Sequence, residues 1–528
     1  MDSYFLDLLL FLSSSLLLLL WWRRISATAT TTATLPPGPP GWPLLGNLGQ
    51  VVLQRRPFMY IIRDLRTKYG PIFTMQMGQR ALIIVTDAGL IHEALVHKGP
   101  VFASRPPDSP TRLIFSVGKC AINSAEYGPL WRALRRNFVT ELINPVRIRQ
   151  CGWIREWAID KHLKRLKAQA DDDEEGCVEV MSNCRLTICS ILICICFGAK
   201  IPEEKVREIE AVLKDVMMMT TPKLPDFLPM FTPLFRKQLK EAKELRTKQM
   251  ECLLPLVRSR RAFVESSSSI DACGGGGGDQ DIIEMVSPLG AAYIDSLLRL
   301  EPAGRGKLGE PELVTLCSEV MNAGTDTSAT TVEWALLHLV LDQGIQQRVY
   351  EEIVQCVGKE GNISEEDVER MSYLGAVVKE TFRRHPPSHF VLSHATTKET
   401  ELGGFTLPAG STVEFYTAWL TEDPTVWSDP GEFKPERFLS GDGVGVDVTG
   451  SREVKMMPFG VGRRICPALT LGTLHVHLLL AKMVQAFKWV PVPGSPPDPT
   501  ETFAFTVVMK NPLRAVILPR LSPSSISL

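Results

Sequence analysis

The sequence predicts a mainly α-helical protein with a small β portion, and three observations predict it. Apolar residues recur at helical spacing between about residues 97 and 262, and helical patterns resume near Ile282. Short apolar or alternating runs on either side of Gly78 predict a hairpin, and strand-like segments lie between residues 390 and 415. Since 45% of the 528 residues are hydrophobic, the chain can fill one large core.

The first segment, residues 1–24, predicts a membrane anchor. Residues 4–22 are mostly Leu, Phe, Ser and Trp, and about nineteen helical residues span roughly 28 Å, close to the thickness of a bilayer core. The run ends in two Trp residues that suit the membrane interface, and the two Arg residues that follow keep the downstream chain in the cytosol. A cleaved signal peptide ending near Ala29 is the alternative, but the start carries Asp2 and Asp7 rather than basic residues.

The next segment, residues 25–45, is a Thr/Ala-rich spacer followed by the proline run PPGPPGWP. Consecutive prolines favour a stiff extended chain, which suits either a simple linker or a hinge. Residues 46–528 are predicted to form one large domain. A Ser-rich and Gly-rich stretch at residues 265–281 is the one clear low-complexity break, and it predicts a flexible loop.

Individual elements of the domain carry their own signals. Residues 53–69 predict an amphipathic helix that ends at Gly70-Pro71, and Asp87 caps a helix that runs to about His97. A long helix is predicted from about Pro311 to Gln343.

Net charge and cysteine usage give no support for nucleic-acid binding or for a disulfide framework. The net charge of −1 gives no argument for nucleic-acid binding. Four of the twelve cysteines lie on one apolar, helix-like stretch: Cys184, Cys189, Cys194 and Cys196. Their clustering favours core thiols in a reducing compartment over a disulfide framework. A zinc site is the weaker alternative, because the cluster has no neighbouring His.

Cys466 differs from the other cysteines because it lies in the loop PFGVGRRICPA, residues 458–468. A thiolate needs positive charge and backbone N–H donors nearby, and two arginines and two glycines of this loop supply both. The helix predicted from about Leu469 adds the field of its positive end. The alternative for any lone cysteine is a buried structural thiol.

The spacing F-x-x-G-x-R-x-C-x-(G/A) resembles the haem-binding loop of the cytochrome P-450 superfamily. The resemblance implies that fold, with one large helical catalytic domain behind the anchor. It implies that Cys466 is the metal ligand of haem b, a proximal thiolate that favours O–O cleavage. Phe459 would pack beneath the haem, and Arg464 would pair with a propionate. Ala468 stands where the family usually has Gly.

A second motif, AGTDTS at residues 323–328, lies within the predicted long helix. Gly and hydroxylated residues lower helix propensity, so the run alone would indicate a weak surface helix. It resembles the family's oxygen-activation motif, (A/G)-G-x-(D/E)-T-(T/S), in a widened turn over the distal haem face. The resemblance implies that Ala323 lines that face, Thr327 hydrogen-bonds bound oxygen and Asp326 helps deliver protons.

Two further motifs carry structural and haem-anchoring expectations. Glu380 and Arg383, three residues apart on a helix, and Arg437 of a P-E-R-F segment resemble the family's buried salt-bridged triad, which is structural and not catalytic. Alone, such an i,i+3 pair is common on exposed surfaces. Trp131 and Arg135 share a helix face, and the family's W-x-x-x-R pattern implies that both contact a propionate.

Outside these motifs, His394 lies where many relatives place a propionate-binding arginine; a solvated residue at a strand end is the alternative. For the basic helix around Trp131, the alternative is an amphipathic surface helix. Arg132 and Arg136 would face outward from it, where they could help dock an acidic electron-donor flavoprotein.

Finer features resemble a plant, A-type microsomal enzyme of family 77, subfamily A; they are residues 413–418, 474–478 and 505–513. Members of that group oxidise medium- and long-chain fatty acids by in-chain hydroxylation or epoxidation, and some feed cutin synthesis. The resemblance implies an endoplasmic reticulum membrane location with a cytosolic catalytic domain. It implies NADPH-cytochrome P-450 reductase as partner, cytochrome b5 as a second candidate, and a lipophilic substrate.

Two rival classes remain at this point. One is a haem-thiolate isomerase or dehydratase that needs no reductase, which the Asp326-Thr327 pair disfavours. The other is a catalytically silent haem-binding membrane protein, with Ala468 as a sign of decay. Substrate-facing segments are expected at residues 102–123, 217–219, 390–392 and 503–507, together with Ala323; the Met run at 217–219 suits core packing equally well.

Overall fold

The computed structural model describes residues 13–15, 35–228, 235–268, 283–302 and 304–520. Nearly all of the predicted anchor and most of the low-complexity stretch at residues 265–281 lie outside the described residues. The described chain is mainly helical with a small β portion, as the sequence predicts.

Helices make up most of the described chain. In chain order they are α1 Leu48–Gln54, α2 Phe58–Tyr69, α3 Ala88–His92, α4 Gly99–Phe102, α5 Pro110–Ser116, α6 Pro129–Phe138, α7 Pro145–Gln150, α8 Gly152–Asp172, α9 Val180–Phe197, α10 Glu203–Thr220, α11 Leu224–Phe227, α12 Arg236–Ser268, α13 Tyr293–Leu297, α14 Glu310–Leu341, α15 Gln343–Val357, α16 Glu365–Arg370, α17 Ser372–Arg384, α18 Ala418–Glu422, α19 Arg437–Ser440 and α20 Leu469–Ala486. Short π turns follow α3 and α6, at Glu93–His97 and Val139–Ile143.

The strands are short and form small sheets. They are β1 Ile72–Met77, β2 Arg80–Val85, β3 Cys177–Glu179, β4 Ala199–Lys200, β5 Glu284–Met285, β6 His394–Ala395, β7 Thr400–Leu402, β8 Phe405–Leu407, β9 Thr412–Phe415, β10 Phe487–Pro491, β11 Glu501–Ala504, β12 Thr506–Met509 and β13 Arg514–Pro519. One sheet has the order β1-β2-β9-β6 and another β10-β13-β3, while β11-β12, β4-β5 and β7-β8 are pairs.

The chain divides into two compact units. The first comprises Met1–Pro107, Pro222–Arg236 and Phe390–Trp419, and the second comprises Asp108–Thr221, Lys237–His389 and Leu420–Leu528. Among the described residues, the first unit holds the four-stranded sheet and the second holds the long helices α8, α9, α14 and α20.

The hairpin of the first unit forms as predicted. β1 and β2 pair antiparallel with Phe73 opposite Ile84, and Gly78 takes a left-handed φ of 57° in the turn. Asp87 caps α3 by accepting a hydrogen bond from the Leu90 N–H at 2.9 Å. The helix predicted over residues 53–69 starts too early: residues 53–54 end α1 and α2 begins at Phe58, because Pro57 cannot continue a helix interior and instead precedes α2.

The core of the second unit is built around α9 and α14, which pack directly against each other. A Cβ on Gly324 would lie 2.7 Å from Leu192 Cδ1, so this glycine permits the close approach of the two helices. Within the described chain, α9 is the one helix long and apolar enough to cross a membrane, and 89% of it is buried in the protein. It therefore serves as a core helix.

The cysteines of α9 are buried in this core. Cys184, Cys189, Cys194 and Cys196 have no more than traces of exposed surface, and burial raises the pKa of Cys194 to about 12. Protonated, inert thiols in an apolar helix match the core-thiol interpretation of the sequence. In the part of the chain that is described, no group of three or more His, Cys, Asp or Glu side chains has a geometry that could hold a metal ion.

Candidate active site

The cysteine loop is shaped by two glycines with left-handed backbone. Gly460 has a φ of 67° and Gly462 a φ of 72°, conformations that residues with a Cβ rarely adopt. The turn closes with a hydrogen bond from the Cys466 N–H to the Phe459 carbonyl at 2.8 Å. Cys466 keeps some exposed surface, and α20 begins three residues later, at the position that the sequence predicts.

The charge environment of the Cys466 thiol differs from the one that the sequence predicts. Burial raises the pKa of Cys466, while the Ala468 N–H and the Arg135 guanidinium act to lower it. The sequence assigns this charge to the two arginines of the loop, but Arg464 donates elsewhere, to the carbonyls of Ile122 at 3.0 Å and Ala125 at 2.6 Å. The loop alone therefore does not ionise the thiol, and a coordinated metal ion would.

Ala468 fits the backbone without strain. Its φ is −95° and its ψ is 23°, a conformation open to any L-residue, so glycine is not required at this position. Its methyl group contributes to the apolar surface that packs against the main core. The backbone at this position therefore accommodates alanine, and the effect of its methyl group on the haem environment stays a prediction.

Arg464, Trp131 and Arg135 form a cradle next to the cysteine loop. The guanidinium of Arg464 lies 4.5 Å from the centroid of the Trp131 ring, and Arg135 donates to the Ile465 carbonyl at 2.7 Å. Burial lowers the pKa of Arg464 to about 10 and also lowers the pKa of Arg135. An anion placed here would offset the cost of burying these cations.

The Trp131 indole provides a test of what the cradle holds. Trp131 is 7% exposed, and its Nε1 has no hydrogen-bond acceptor among the described residues. Buried indole N–H groups in proteins are nearly always paired, so this donor points to an absent acceptor. A haem propionate is an anionic acceptor of that kind, and the residues present fit one.

Phe459 packs on the helical side of the loop. Its ring meets the Phe382 ring of α17 edge to face, with centroids 5.1 Å apart. The contact fixes the start of the cysteine loop against the core, and the role of Phe459 beneath the haem stays a prediction.

The second motif lies in the middle of α14. Ala323 is exposed and Thr327 is partly exposed, although Thr325, Asp326 and Ser328 beside them are buried. The Thr327 hydroxyl donates to the Ala323 carbonyl at 2.7 Å. The widened turn expected here is not present: α14 is α-helical through the motif, with the Thr327 hydroxyl bonded back onto the preceding turn.

Asp326 faces a different side of α14 from Ala323 and Thr327. Its carboxylate lies 2.8 Å from a guanidinium nitrogen of Arg185 on α9, and Arg185 also lies 2.8 Å from a carboxylate oxygen of Glu210 on α10. Burial raises the pKa of Asp326, and the Arg185 charge opposes that rise. We call Asp326, Arg185 and Glu210 the Asp326 cluster. The structure thus gives the predicted acid a buried cationic partner.

Glu380, Arg383 and Arg437 lie together, as the triad prediction requires. Both carboxylate oxygens of Glu380 accept from Arg383, at 2.7 and 2.8 Å, and Arg437 Nε donates to Glu380 at 3.2 Å. All three side chains are at most 3% exposed. We call them the Glu380 triad; it ties α17 to the segment that starts α19.

His394 belongs to the first of the two units, whereas the site residues described above belong to the second. It is buried, with Nδ1 2.7 Å from the Phe102 carbonyl and its ring edge-on to Phe415 at 5.3 Å. The solvated strand-end alternative is wrong because the side chain is only 3% exposed. A propionate contact by His394 stays a prediction.

Sequence reasoning missed Arg185 and Glu319. Arg185 is the one charged residue in the apolar run of α9, and that isolation was the available signal, since buried charges require partners. Glu319 of α14 accepts from the backbone N–H groups of Ile122 and Asn123, at 2.8 and 2.6 Å. No spacing in the sequence links these positions.

A separate surface cleft of about 870 Å³ lies on α8, α9 and β13, lined by Arg165, Asp173, Arg207 and Arg514 among others. Its arginines are partnered by acids within the cleft region, such as Glu203 for Arg165 and Arg207. It contains none of the residues of the cysteine loop or of the α14 motif.

Comparisons with known proteins identify the family of the chain. A family model described as Cytochrome P-450 matches residues 36–518. The chain is 37% identical over 505 residues to cytochrome P-450 89A9 of Arabidopsis thaliana, covering 92% of this chain and 94% of that protein. It is 29% identical over 497 residues to flavonoid 3'-monooxygenase of Arabidopsis thaliana, covering 93% of this chain and 92% of that protein.

A solved structure supports the fold. A structure of a zebra fish cytochrome P-450 with progesterone aligns with a TM-score of 0.71 at 21% identity, covering 88% of this chain and 100% of that one. At that identity the likeness concerns the fold.

Proposed function

The chain belongs to the cytochrome P-450 family, and on that premise we propose that it oxidises a fatty acid by in-chain hydroxylation or epoxidation. It is a haem-thiolate monooxygenase of plant type that uses haem b, with NADPH supplying electrons through a reductase. The substrate and its place in cutin synthesis rest on the resemblance to family 77, subfamily A, together with the apolar surroundings of Ala323.

The observation that carries the proposal is the apolar packing against α14 before and after its motif along the helix. On one side, Thr315 of α14 donates to the Phe115 carbonyl at 3.0 Å, which fixes α5 against the helix. Phe115 packs in a cluster with Val216 and Met219 of α10. This side offers rings and thioethers, which suit an aliphatic chain.

The other side is the hairpin of β11 and β12. The Val507 carbonyl accepts from both Thr330 and Trp334 of α14, each at 3.0 Å, which anchors the hairpin one turn beyond Thr327. Phe503, directly opposite Val507 in the hairpin, is 57% exposed. An exposed phenylalanine on an anchored hairpin suits contact with an apolar ligand.

The segments expected to face the substrate contain both buried and exposed residues. In the Met run, Met217 is buried in α10 and Met218 is 42% exposed, while Met219 belongs to the Phe115 cluster. Core packing thus accounts for Met217. Residues 390–392 belong to the first unit and stay a prediction.

Different residues of the chain have different roles in the proposed reaction. Haem, when bound, supplies oxygen activation, with Cys466 as its thiolate ligand. Trp131, Arg135 and Arg464 hold the propionate side through an indole N–H and two guanidinium groups. The loop glycines shape the backbone around the Cys466 sulfur.

Thr327 and Asp326 handle protons in this proposal. The Thr327 hydroxyl, which donates to the Ala323 carbonyl, sits on the open face of α14 and, by turning away from that carbonyl, could donate a hydrogen bond to a group held over this face. Asp326 holds its proton more tightly than a solvated aspartate, because burial raises its pKa. Paired with Arg185 it is a carboxylate, so in this proposal Asp326 takes up a proton and passes it on when that pairing loosens.

Location and electron supply follow the plant microsomal pattern in this proposal: a single-pass anchor at residues 1–24, the endoplasmic reticulum membrane and a cytosolic catalytic domain. Arg132 and Arg463 are exposed beside the cysteine loop, and both guanidinium groups approach the Tyr127 ring, at 5.1 and 5.8 Å. This basic surface suits an acidic flavoprotein such as the reductase, with cytochrome b5 as a second candidate.

The experiment is co-expression of the full chain with a plant reductase, followed by mass spectrometry of products from saturated and unsaturated fatty acids. NADPH-dependent addition of one oxygen at an in-chain position is expected. A parallel arm with a flavonoid and with tryptamine uses the substrates named for relatives. Oxidation in that arm alone would overturn the fatty-acid assignment, and turnover without NADPH would favour the isomerase class.

The haem ligand has its own control. Cys466→Ala is expected to abolish the red-shifted carbon-monoxide band of a reduced thiolate-ligated haem, whereas Cys356→Ala, at an exposed cysteine, is expected to leave it unchanged. Survival of the band in Cys466→Ala would show that another residue ligates the iron.

A further inference from the structure

The loop between α5 and α6 is held from two directions by charged side chains. The Glu319 carboxylate of α14 accepts from the N–H groups of Ile122 and Asn123, at 2.8 and 2.6 Å. Arg464 of the cysteine loop donates to the carbonyls of Ile122 and Ala125, at 3.0 and 2.6 Å. Both the N–H and the C=O of Ile122 are therefore engaged by ionised groups, which form stronger hydrogen bonds than neutral partners.

The two charged residues belong to the two halves of the site. Glu319 lies one helical turn before Ala323, so the two share a face of α14. Arg464 lies two residues before Cys466. Residues 120–126, which we call the bridging loop, thus connect the open face of α14 to the cysteine loop through hydrogen bonds.

The bridging loop needs such support, because few of its own backbone bonds hold it in place. Val117 and Lys119, in the turn just before it, have left-handed φ values of 46° and 67°, which cost free energy in residues other than glycine. Its internal backbone bonds include one from the Ala125 N–H to the Ala121 carbonyl at 2.8 Å. Without Glu319, two N–H donors of the loop would lose their carboxylate acceptor.

We infer that Glu319 is a positioning residue for the haem-anchoring arginine: it fixes the bridging loop, and the loop in turn fixes the Arg464 guanidinium over Trp131.

The first test measures haem retention and loop opening, which do not depend on the substrate. Full-length holoprotein is prepared with Glu319→Ala, Glu319→Gln and, as control, Glu310→Gln. Glu310 is on the same helix and pairs with Arg258 at 3.0 Å, outside the bridging loop. Haem transfer to excess apomyoglobin and amide hydrogen exchange of residues 117–126 are followed.

Glu319→Ala is expected to speed haem loss by on the order of tenfold, since it removes two charge-assisted hydrogen bonds. Exchange of the Ile122 and Asn123 amides should rise with it, Glu319→Gln should lie in between because its amide oxygen still accepts, and the control should match the unmodified protein. Unchanged haem loss in Glu319→Ala, or an equal change in the control, would overturn the inference.

A second test asks whether Glu319 acts through Arg464. Arg464→Lys is combined with Glu319→Gln, and the haem-loss rates of the two single variants and the double variant are compared. If the bridging loop couples the residues, the double variant loses haem less rapidly than the product of the single effects predicts. Simple multiplication of the two effects would mean independent roles and would overturn the coupling. Either result is separable from failure of the fatty-acid assay, since haem binding alone is read.

Discussion

Two buried clusters of charge in the second unit have similar composition and different construction. The Glu380 triad contains one carboxylate and two arginines, and the Asp326 cluster contains two carboxylates and one arginine. The triad is bound by many hydrogen bonds, whereas the cluster is held by two ion pairs. The difference separates a group of charges that stabilises the fold from one that can change state.

In the Glu380 triad, backbone carbonyls accept the arginine hydrogen bonds that Glu380 does not accept. Arg383 donates to the carbonyls of Thr421, Pro430 and Glu432, at 2.8 to 3.0 Å. Arg437 donates to the Asp429 carbonyl at 2.6 Å and also to Ser428. Because every charge is compensated by fixed neighbours, desolvation is offset within the native structure.

The Asp326 cluster leaves atoms less well satisfied. Its ion pairs are 2.8 Å long, yet Arg185 Nε, a Glu210 oxygen and an Asp326 oxygen have no well-aligned hydrogen bond among the described residues. Glu210 is 22% exposed, so one end of the cluster is near solvent. Burial raises the pKa of Asp326, which is the property expected of an acid that gives up a proton.

The largest predicted effect comes from breaking the triad. Glu380→Ala leaves two buried guanidinium groups without their carboxylate and is expected to lower the free energy of unfolding by about 3–5 kcal/mol. Urea unfolding monitored by far-UV circular dichroism measures it, and haem content of the purified protein should fall in parallel. A loss below about 1 kcal/mol would show that the backbone carbonyls suffice without Glu380.

The second prediction concerns Asp326→Asn, which keeps the shape of the side chain and removes its acid. Product formation per NADPH consumed is expected to fall, with the product-forming rate down by roughly 100-fold, because general acid–base groups contribute on that scale. The unfolding free energy should fall less than in Glu380→Ala, because Glu210 still compensates Arg185. Unchanged coupling of NADPH use to product would contradict the proton-delivery role.

The third prediction follows the pKa of Asp326. Because its folded-state pKa is raised above 3.8, Asp326 contributes stability that is present below pH 3.8 and is lost as pH rises through the folded pKa. Arg185→Gln removes the charge that holds this pKa down, so the loss of stability extends to higher pH. Urea titrations from mildly acidic to neutral pH measure the slope, and adding Asp326→Asn to Arg185→Gln should remove it; a slope that persists would assign it to another group.

The smallest effect is expected at an exposed pair. Asp64 lies 2.9 Å from Arg56 in the first unit, and the two side chains are 62% and 48% exposed. Asp64→Asn should change the unfolding free energy by less than about 0.5 kcal/mol, because water already solvates both charges. It is the matched carboxylate-to-amide control for Asp326→Asn, and a larger loss in urea unfolding would weaken the contrast between buried and exposed charges.

Much of the fold could be predicted where a local signal exists. The hairpin, the Asp87 cap, the long helix α14 and the start of α20 follow from periodicity, capping chemistry and glycine placement within a few residues of each element. The break between α1 and α2 also has a local signal, in Pro57, which outweighs the apolar periodicity around it. The end of α14 at Leu341 rather than Gln343 depends on Asp342, whose side chain accepts from Gly344 and begins α15.

The candidate site also has a part that local sequence signals predict and a part that they do not. The motif positions Cys466, Trp131, Arg464 and Thr327 could be named because each motif is a fixed local spacing. The partners of these side chains could not be predicted. Arg464 donates hydrogen bonds to carbonyls of the bridging loop, and Asp326 forms an ion pair with Arg185. A guanidinium or a carboxylate carries no local preference among distant acceptors, so only the packing of helices selects its partner.

By itself, the sequence determined the helical class, the family of the chain and the candidate residues for its chemistry. Tertiary structure alone decided that Asp326 is paired with a cation, that Ala468 needs no glycine conformation, and that Glu319 and Arg464 hold the same loop. The physical reason is that side-chain type and spacing along the chain set local backbone preferences, whereas burial and charge pairing arise only when distant helices meet.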